Sequence, residues 1–162
     1  LTILKKDGYN FTANIIGSPT RNNSTKQFNN HIIKKNLNDV VSYKGPKYDN
    51  EKYEEYQKSD IFVFPTHFES FGIVALEAMQ FNLPVIASNE GSLPIIVENG
   101  STGLLAETKN VRDFADKIKK LLDDRDLREK MGRNGRKRFE KYFTDDIYEE
   151  NILKVFNKCL TS

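Results

Sequence analysis

A chain of 162 residues, 38% hydrophobic and 30% charged, can bury a sizeable core and is polar enough to fold in water. Its net charge of +2 gives no field strong enough to draw nucleic acid, and no apolar run approaches the length of a membrane span. A single cysteine, Cys159, excludes an internal disulfide and fits a reducing compartment. It lies in the closing helical stretch, where a packed thiol is expected.

In chain order, Leu1 to Tyr9 reads as a helix end with Gly8 as its stop. Phe11 to Ile16 alternates into a strand that ends at Gly17-Ser18-Pro19. Phe28, Ile32, Ile33 and Leu37 recur at helical spacing over 23–37. Val40 to Tyr43 is a strand, followed by the turn Lys44-Gly45-Pro46-Lys47. Residues 49–58, with Tyr53 and Tyr56, form a short helix. Ile61-Phe62-Val63-Phe64, stopped by Pro65, has the makeup of a buried strand in a parallel sheet. A mostly buried helix follows, N-capped by Ser70 and stopped at Asn82, which tolerates the left-handed conformation. Leu83 to Ser88 is a second buried strand, Asn89 to Pro94 a loop, and Gly103 to Leu105 a short edge strand. Val111, Phe114, Ala115, Ile118, Leu121 and Leu122 give an amphipathic helix, and Leu127 and Met131 continue into another. Residues 125–141 are rich in Arg and Lys. Two readings of that run stand, a solvated face and a contact with an anionic membrane surface. A last helix from about Asp145 to Leu160 sets Tyr148, Ile152, Val155, Phe156 and Cys159 on one face. Alternating strands and helices argue an α/β fold with a parallel sheet.

The chemistry concentrates in Phe64 to Met79. Strand, loop and helix put a helix N-terminus at the carboxyl edge of the sheet, where such folds bind ligands. Unpartnered first-turn amides suit phosphate oxygens, and Gly72 lets a ligand approach the backbone. Glu69 precedes the helix and Glu77 lies two turns in, about 80° round by helical geometry, so they form no paired-carboxylate face. Each can accept from vicinal hydroxyls. Together they describe an anion site flanked by hydroxyl readers, as a nucleotide-sugar requires. His67, near Glu69, reads either as a site-lining loop residue or as a general base. The other histidine, His31, is expected on an exposed helix face. Two isolated histidines and one cysteine give no metal-ligand spacing.

Glu69 and Glu77, with seven residues between them inside Glu-Ser-Phe-Gly-Ile-Val-Ala-Leu-Glu-Ala-Met, resemble the E-x7-E motif of retaining GT-B glycosyltransferases of the family-4 type (glycosyltransferase group 1). The likeness extends through Leu83-Pro84-Val85-Ile86-Ala87-Ser88 and Glu98 to Leu105, and covers the chain from about Ile15 onward. It implies a Rossmann-like parallel sheet flanked by helices, the C-terminal half of a GT-B fold. It implies transfer of a sugar, with retention, from a nucleotide-diphosphate-sugar donor to a glycan or lipid-linked acceptor. It implies no cofactor and no required metal, a role in polysaccharide biosynthesis, and a cytoplasmic enzyme, at the inner face of the membrane where the basic run makes that contact. By resemblance Glu69 is the catalytic residue, holding the sugar near its reacting carbon, and Glu77 holds the ribose hydroxyls. Ser70, Phe71, Gly72, Ile73 and Val74 are donor-binding, with the amides from Phe71 to Val74 meeting sugar and diphosphate. Gly45, Pro46 and Lys47 contact the base. Gly17 either lines the site or only makes a strand-to-helix turn. Lys44 and Lys47 read as solvated turn lysines or as helpers with phosphate.

The resemblance further implies that 1–162 is a single nucleotide-sugar-binding domain, a fragment lacking its first strand and the acceptor-binding domain, and inactive alone. Three positions depart from the family pattern. Asn82 replaces a glycine, and Ser92 and Ile95 replace the second glycine and the acid of the loop after Ser88. Rival functions on the same fold are a nucleotide-sugar epimerase and a phosphorylase, though no pyridoxal-phosphate lysine motif is present. From another class, the rival is a non-catalytic nucleotide-sugar-binding module.

Overall fold

The computed structural model describes residues 1–19 and 24–160. The chain packs as two compact units, Leu1–Lys58 and Ser59–Ser162. Both are α/β with parallel strands, as the alternation of elements predicts.

The first unit runs α1 (Thr2–Lys6), β1 (Ala13–Ile16), α2 (Thr25–Lys34), β2 (Val41–Gly45) and α3 (Asp49–Gln57). β1 and β2 pair in parallel from Ala13 against Val41 to Ile16 against Gly45, with a register shift between Ile15 and Ile16. α2 is shorter than the expected 23–37, and residue 23 lies outside the described residues. Its start is a capping box: Gln27 N–H donates to Ser24 Oγ, and Ser24 N–H donates to Gln27 Oε1. Ile32, Leu37 and Val41 form a small core with Ala13, Ile15, Phe28, Val40 and Tyr43 packed on it. Leu37 enters that core from the turn after the helix. Ile33 does not, and is 58% exposed because it falls on the opposite face of α2.

The second unit runs β3 (Phe62–Phe64), α4 (Ile73–Gln80), β4 (Val85–Ser88), α5 (Leu93–Ile96), β5 (Gly103–Ala106), α6 (Val111–Asp123), α7 (Arg125–Tyr142) and α8 (Asp145–Leu160). Its sheet is parallel with order β3-β4-β5. Every residue of the central strand β4 is buried. β3, expected to be buried, is half-buried throughout, because it has a ladder partner in this sheet on one side only. Ala75, Ala78 and Met79 of α4, Leu93, Leu121 and Met131 complete the core. Full burial of such a side chain contributes about 1.5–3 kcal/mol.

Two helix junctions follow from single side chains. Asn110 caps α6, its Oδ1 accepting Asp113 N–H at 3.1 Å. Asp124, extended at φ −121°, ends α6 and caps α7, with Oδ1 accepting Leu127 N–H at 2.9 Å. Asp113 also accepts from Glu107 N–H at 2.6 Å and from Lys117. The Lys117 ammonium first, and then the Glu107 amide, hold the Asp113 carboxyl below the usual carboxylate range.

α7 sits directly on the end of α4. A Cβ at Gly132 would lie 1.8 Å from the Asn82 carbonyl oxygen, whereas one at Gly135 would come closest to the flexible Met79 side chain, at 3.3 Å, with the Thr102 and Leu83 carbonyl oxygens at ordinary contact distance. Asn82 itself is left-handed at φ +57°, the helix stop expected of it. α8 departs from expectation at Cys159, which is exposed rather than packed, because α8 buries no residue.

Alanine at Gly132 is expected to cost about 2 kcal/mol in urea unfolding, through overpacking, although helix propensity alone favours alanine by up to about 1 kcal/mol. Alanine at Gly135 is expected to be near neutral in the same measurement. An equal, small effect at both would remove the close approach of α7 to Asn82. Because Asp113 is held below its unfolded value, its stabilisation is present above about pH 4 and lost as pH falls through the folded value. Urea midpoints of wild type and Asp113→Asn should therefore differ near pH 7 and converge towards pH 2.

Candidate functional site

The loop between β3 and α4 carries the candidate chemistry, and it is built differently from the expected Ser70 cap. α4 begins only at Ile73, and its N-cap is Gly72 in the left-handed region at φ +84°. The expected 80° offset of Glu69 and Glu77 does not apply, because Glu69 precedes the helix. Ser70 is exposed and makes no cap. The longer Glu69 side chain reaches forward instead. Its Oε1 accepts Phe71 N–H at 3.0 Å and Gly72 N–H at 2.9 Å. Two of the amides expected to stand open are thus closed by the acid expected to stand beside them.

Gly72 is required twice over. Its φ disfavours any side chain, and a Cβ there would lie 2.8 Å from Ile96 Cδ1 and 3.2 Å from Leu93 Cδ2. The loop after β4 packs on the same place. A Cβ at Gly91 would be 1.9 Å from the Glu69 carbonyl oxygen. Ser88 Oγ donates to Thr66 O at 2.5 Å, and Asn89 N–H donates to Ala106 O at 2.7 Å. Ser92, where the family pattern has glycine, turns a buried hydroxyl toward Gly72. Among the described residues Ser92 Oγ is the buried side-chain polar atom without a partner.

Phe71, just before α4, and Ile73, its first residue, are 63% and 58% exposed, while the rest of the helix is buried or half-buried as expected. Glu77, half-buried, lines a groove of about 910 Å³ with Phe71, Ile73, Phe139, Tyr142 and Phe156 among others. The sequence did not foretell this groove, because α7 and α8 supply most of its wall. His67 is exposed, as is His31.

In the first unit Gly17 and Gly45 come together at the end of the β1–β2 ladder. Gly17 N–H donates to Gly45 O at 3.0 Å, and Tyr43 Oη donates to Gly17 O at 2.7 Å. Lys47 is not a free turn lysine. Its Nζ lies 3.7 Å from Glu55 Oε1, and Glu55 Oε2 accepts from Asn14 Nδ2 at 2.8 Å.

Most basic residues of α7 are exposed, as a solvated face requires, but three half-buried arginines reach back to other helices. Arg128 Nη1 donates to Leu121 O at 2.7 Å and Arg136 Nη1 to Gln80 O at 2.7 Å. Arg138 Nε and Nη2 donate to Ile96 O and Ile95 O at 2.9 and 2.7 Å. Asp124 and Asp126 open α7, with Asp124 as its cap. Among the described residues no group of three or more His, Cys, Asp or Glu is placed to hold a metal, and no helix is long and apolar enough to cross a membrane.

The family model described as "Glycosyl transferases group 1" matches residues 1–138. The chain belongs to the group 1 glycosyltransferases. It is 36% identical over 158 residues to the capsular polysaccharide biosynthesis glycosyltransferase CapM of Staphylococcus aureus, covering 98% of this chain and 40% of CapM. It is 38% identical over 116 residues to the D-inositol 3-phosphate glycosyltransferase of Corynebacterium aurimucosum, covering 72% of this chain and 28% of that protein. The chain thus spans well under half the length of these curated relatives. Among solved structures it resembles sucrose-phosphate synthase from Thermosynechococcus elongatus, with TM-score 0.84 and 25% identity over 99% of this chain and 41% of that one. Anabaena HepE in complex with UDP shares the fold, with TM-score 0.83 and 21% identity over 91% of this chain and 41% of that one. Family and GT-B fold are those the E-x7-E resemblance implies.

Gly72→Ala should lower stability by about 2–3 kcal/mol, from backbone strain plus the Ile96 contact. Ile96→Val, which removes Cδ1, should recover part of that loss when combined with it. Strictly additive thermal unfolding of the double variant would show that the contact does not act.

Proposed function

We propose that this chain binds the donor in a retaining glycosyltransferase that moves a sugar from a nucleoside-diphosphate sugar to a glycan or lipid-linked acceptor. The observation that carries the reading is the fixed pair of amides at Phe71 and Gly72, aimed at an oxygen and held beside the Glu69 carboxylate. Glu69 orients the sugar and stabilises the positive charge that grows on its anomeric carbon as the diphosphate leaves. The amides at the start of α4 take developing negative charge, the kind of preorganised electrostatics that catalysis favours. Glu77, a turn into α4 and open to the groove, accepts from the ribose hydroxyls. No metal or other cofactor is required in this scheme.

In the first unit, Gly17, Gly45, Pro46 and Lys47 are proposed as donor contacts of that unit, with Lys47 oriented by Glu55. The acceptor is read by parts of the protein outside these residues, in keeping with the 40% share of CapM that the chain spans. On this reading 1–162 is one donor-binding domain. The enzyme works in the cytoplasm, and Lys130, Lys137 and Lys141 of α7 give it a basic face toward an anionic membrane. HepE, of the same fold, is solved with UDP and with UDP-glucose, which supports a nucleotide-sugar donor.

The test is an NMR titration of the labelled chain with UDP, GDP, ADP and their glucose conjugates. One nucleotide is expected to shift the Val74 and Glu77 amides, and Glu77→Ala to weaken its binding at least about tenfold, the worth of a lost hydrogen bond to a charged group. No shift at either residue with any compound, in a folded sample, would sink the donor reading.

A further inference from the structure

α7 sorts its charges. Glu129 pairs with Arg125 and Arg133, and Glu140 with Arg136. Lys130, Lys137 and Lys141 are exposed and form no ion pair among the described residues. With Asn134 they recur at steps of four, three and four, so they share one face along about 16 Å of helix.

Part of that face is one wall of a cleft of about 320 Å³, whose other wall is the turn at 98–102. The turn is firm. Thr102 Oγ1 accepts Glu98 N–H at 2.9 Å, and Asn134 Nδ2 ties the turn to α7 by donating to Ser101 O at 3.2 Å. Donors outnumber acceptors in this cleft. Lys137 and Lys141 bring ammonium groups without a carboxylate, and the Ser101 hydroxyl makes no hydrogen bond among the described residues. Arg138 is held on Ile96 O and Ile95 O through Nε and Nη2, which leaves Nη1 for the cleft. The one carboxylate among the lining residues, Glu98, has Oε2 at 3.9 Å from Nη1, beyond hydrogen-bond distance.

We propose that this cleft seats the phosphate of an anionic lipid headgroup and so anchors the basic face of α7 to a membrane. This rests on the membrane contact proposed above and names the site within it. Phosphate oxygens are the acceptors that Lys137, Arg138, Lys141 and Ser101 lack, and charge-assisted hydrogen bonds to them are strong. Two observations favour a lipid over a small free ion. The lysine row runs past the cleft to Lys130, so one seated phosphate leaves a cation facing neighbouring headgroups. Tyr142 walls both this cleft and the largely apolar groove beside it, with the Arg138 and Lys141 cations 5.4 and 4.9 Å from its ring. An aromatic ring between a charged and an apolar surface suits the boundary of a membrane.

The experiment sediments the 162-residue chain with vesicles of phosphatidylcholine, alone or mixed with phosphatidic acid. The mixed vesicles should carry the chain down and the neutral ones should not. Lys130→Ala, which removes a charge outside the cleft, should weaken binding about fivefold through the surface potential alone. Ser101→Ala leaves every charge in place, yet should weaken binding about tenfold, as for a lost hydrogen bond to a charged group, and Ser101→Thr should restore it. Glycerol 3-phosphate should shift the Ser101 and Asn134 signals in NMR only at far higher phosphate concentration than the lipid requires.

Ser101→Ala binding like wild type overturns the phosphate site and leaves the membrane contact standing. No sedimentation with phosphatidic acid, by a chain that stays folded, overturns both. Glycerol 3-phosphate acting at the concentration at which the lipid binds makes the cleft a site for free phosphate, and the lipid assignment falls.

Discussion

Three arginines of α7 close the C-terminal ends of three other helices. The last turn of a helix leaves carbonyls with no partner inside the helix, and a buried end without donors is costly. Arg128 supplies a donor to α6, Arg136 to the last residue of α4, and Arg138 to two carbonyls of α5 at once. A lysine could not copy the Arg138 contact, since the forked guanidinium presents two N–H groups in one plane. Gly132 brings the α7 backbone against the stop of α4. The far ends of α4 and α5 are thus anchored to one long helix, and their near ends, which carry Gly72, Leu93 and Ile96, inherit that position.

The consequence reaches the candidate site through short steps. α5 is only one turn long, Leu93–Ile96, and could not hold its place by its own hydrogen bonds. Held by Arg138, it presents Leu93 and Ile96 to Gly72, which fixes the backbone at the start of α4. The loop after β4 then locks the other side, with Gly91 on the Glu69 carbonyl and Ser88 on Thr66. Main chain is held on both sides of Glu69, and its carboxylate is held in turn by the Phe71 and Gly72 amides. A frame fixed in this way is what precise ligand placement requires.

Much of this was legible in the sequence, and the failures share a cause. Elements with strong local signals fell where expected: the β4 run of apolar residues, the α6 stripe, the Asn82 stop and the E-x7-E spacing. Ser70 misled because serine is a good N-cap by local preference, whereas Gly72 takes a left-handed conformation that only packing against Leu93 and Ile96 explains. The basic run of α7 is mostly exposed as read, but composition shows charge and not destination, so the reach of Arg128, Arg136 and Arg138 to other helices had no signal. Ile33 and Cys159 fit helical stripes yet lie exposed, since a stripe says which side is apolar and not whether a neighbour covers it. Whatever depends on residues distant in sequence, such as Arg138 meeting Ile95 or Lys47 meeting Glu55, has no local signature.

Ser92 shows how far the polar accounting of the site carries. The hydroxyls and amides around it have found partners: Ser88 with Thr66, Thr66 with Phe68, and the Phe71 and Gly72 amides with Glu69. Among the described residues Ser92 Oγ is the one buried side-chain polar atom with none, and it lies beside Gly72. A buried hydroxyl without a partner costs about 1–3 kcal/mol. Glycine, the family's choice at that position, has no such cost. The chain therefore carries an unpartnered hydroxyl directly behind the amide that Glu69 holds.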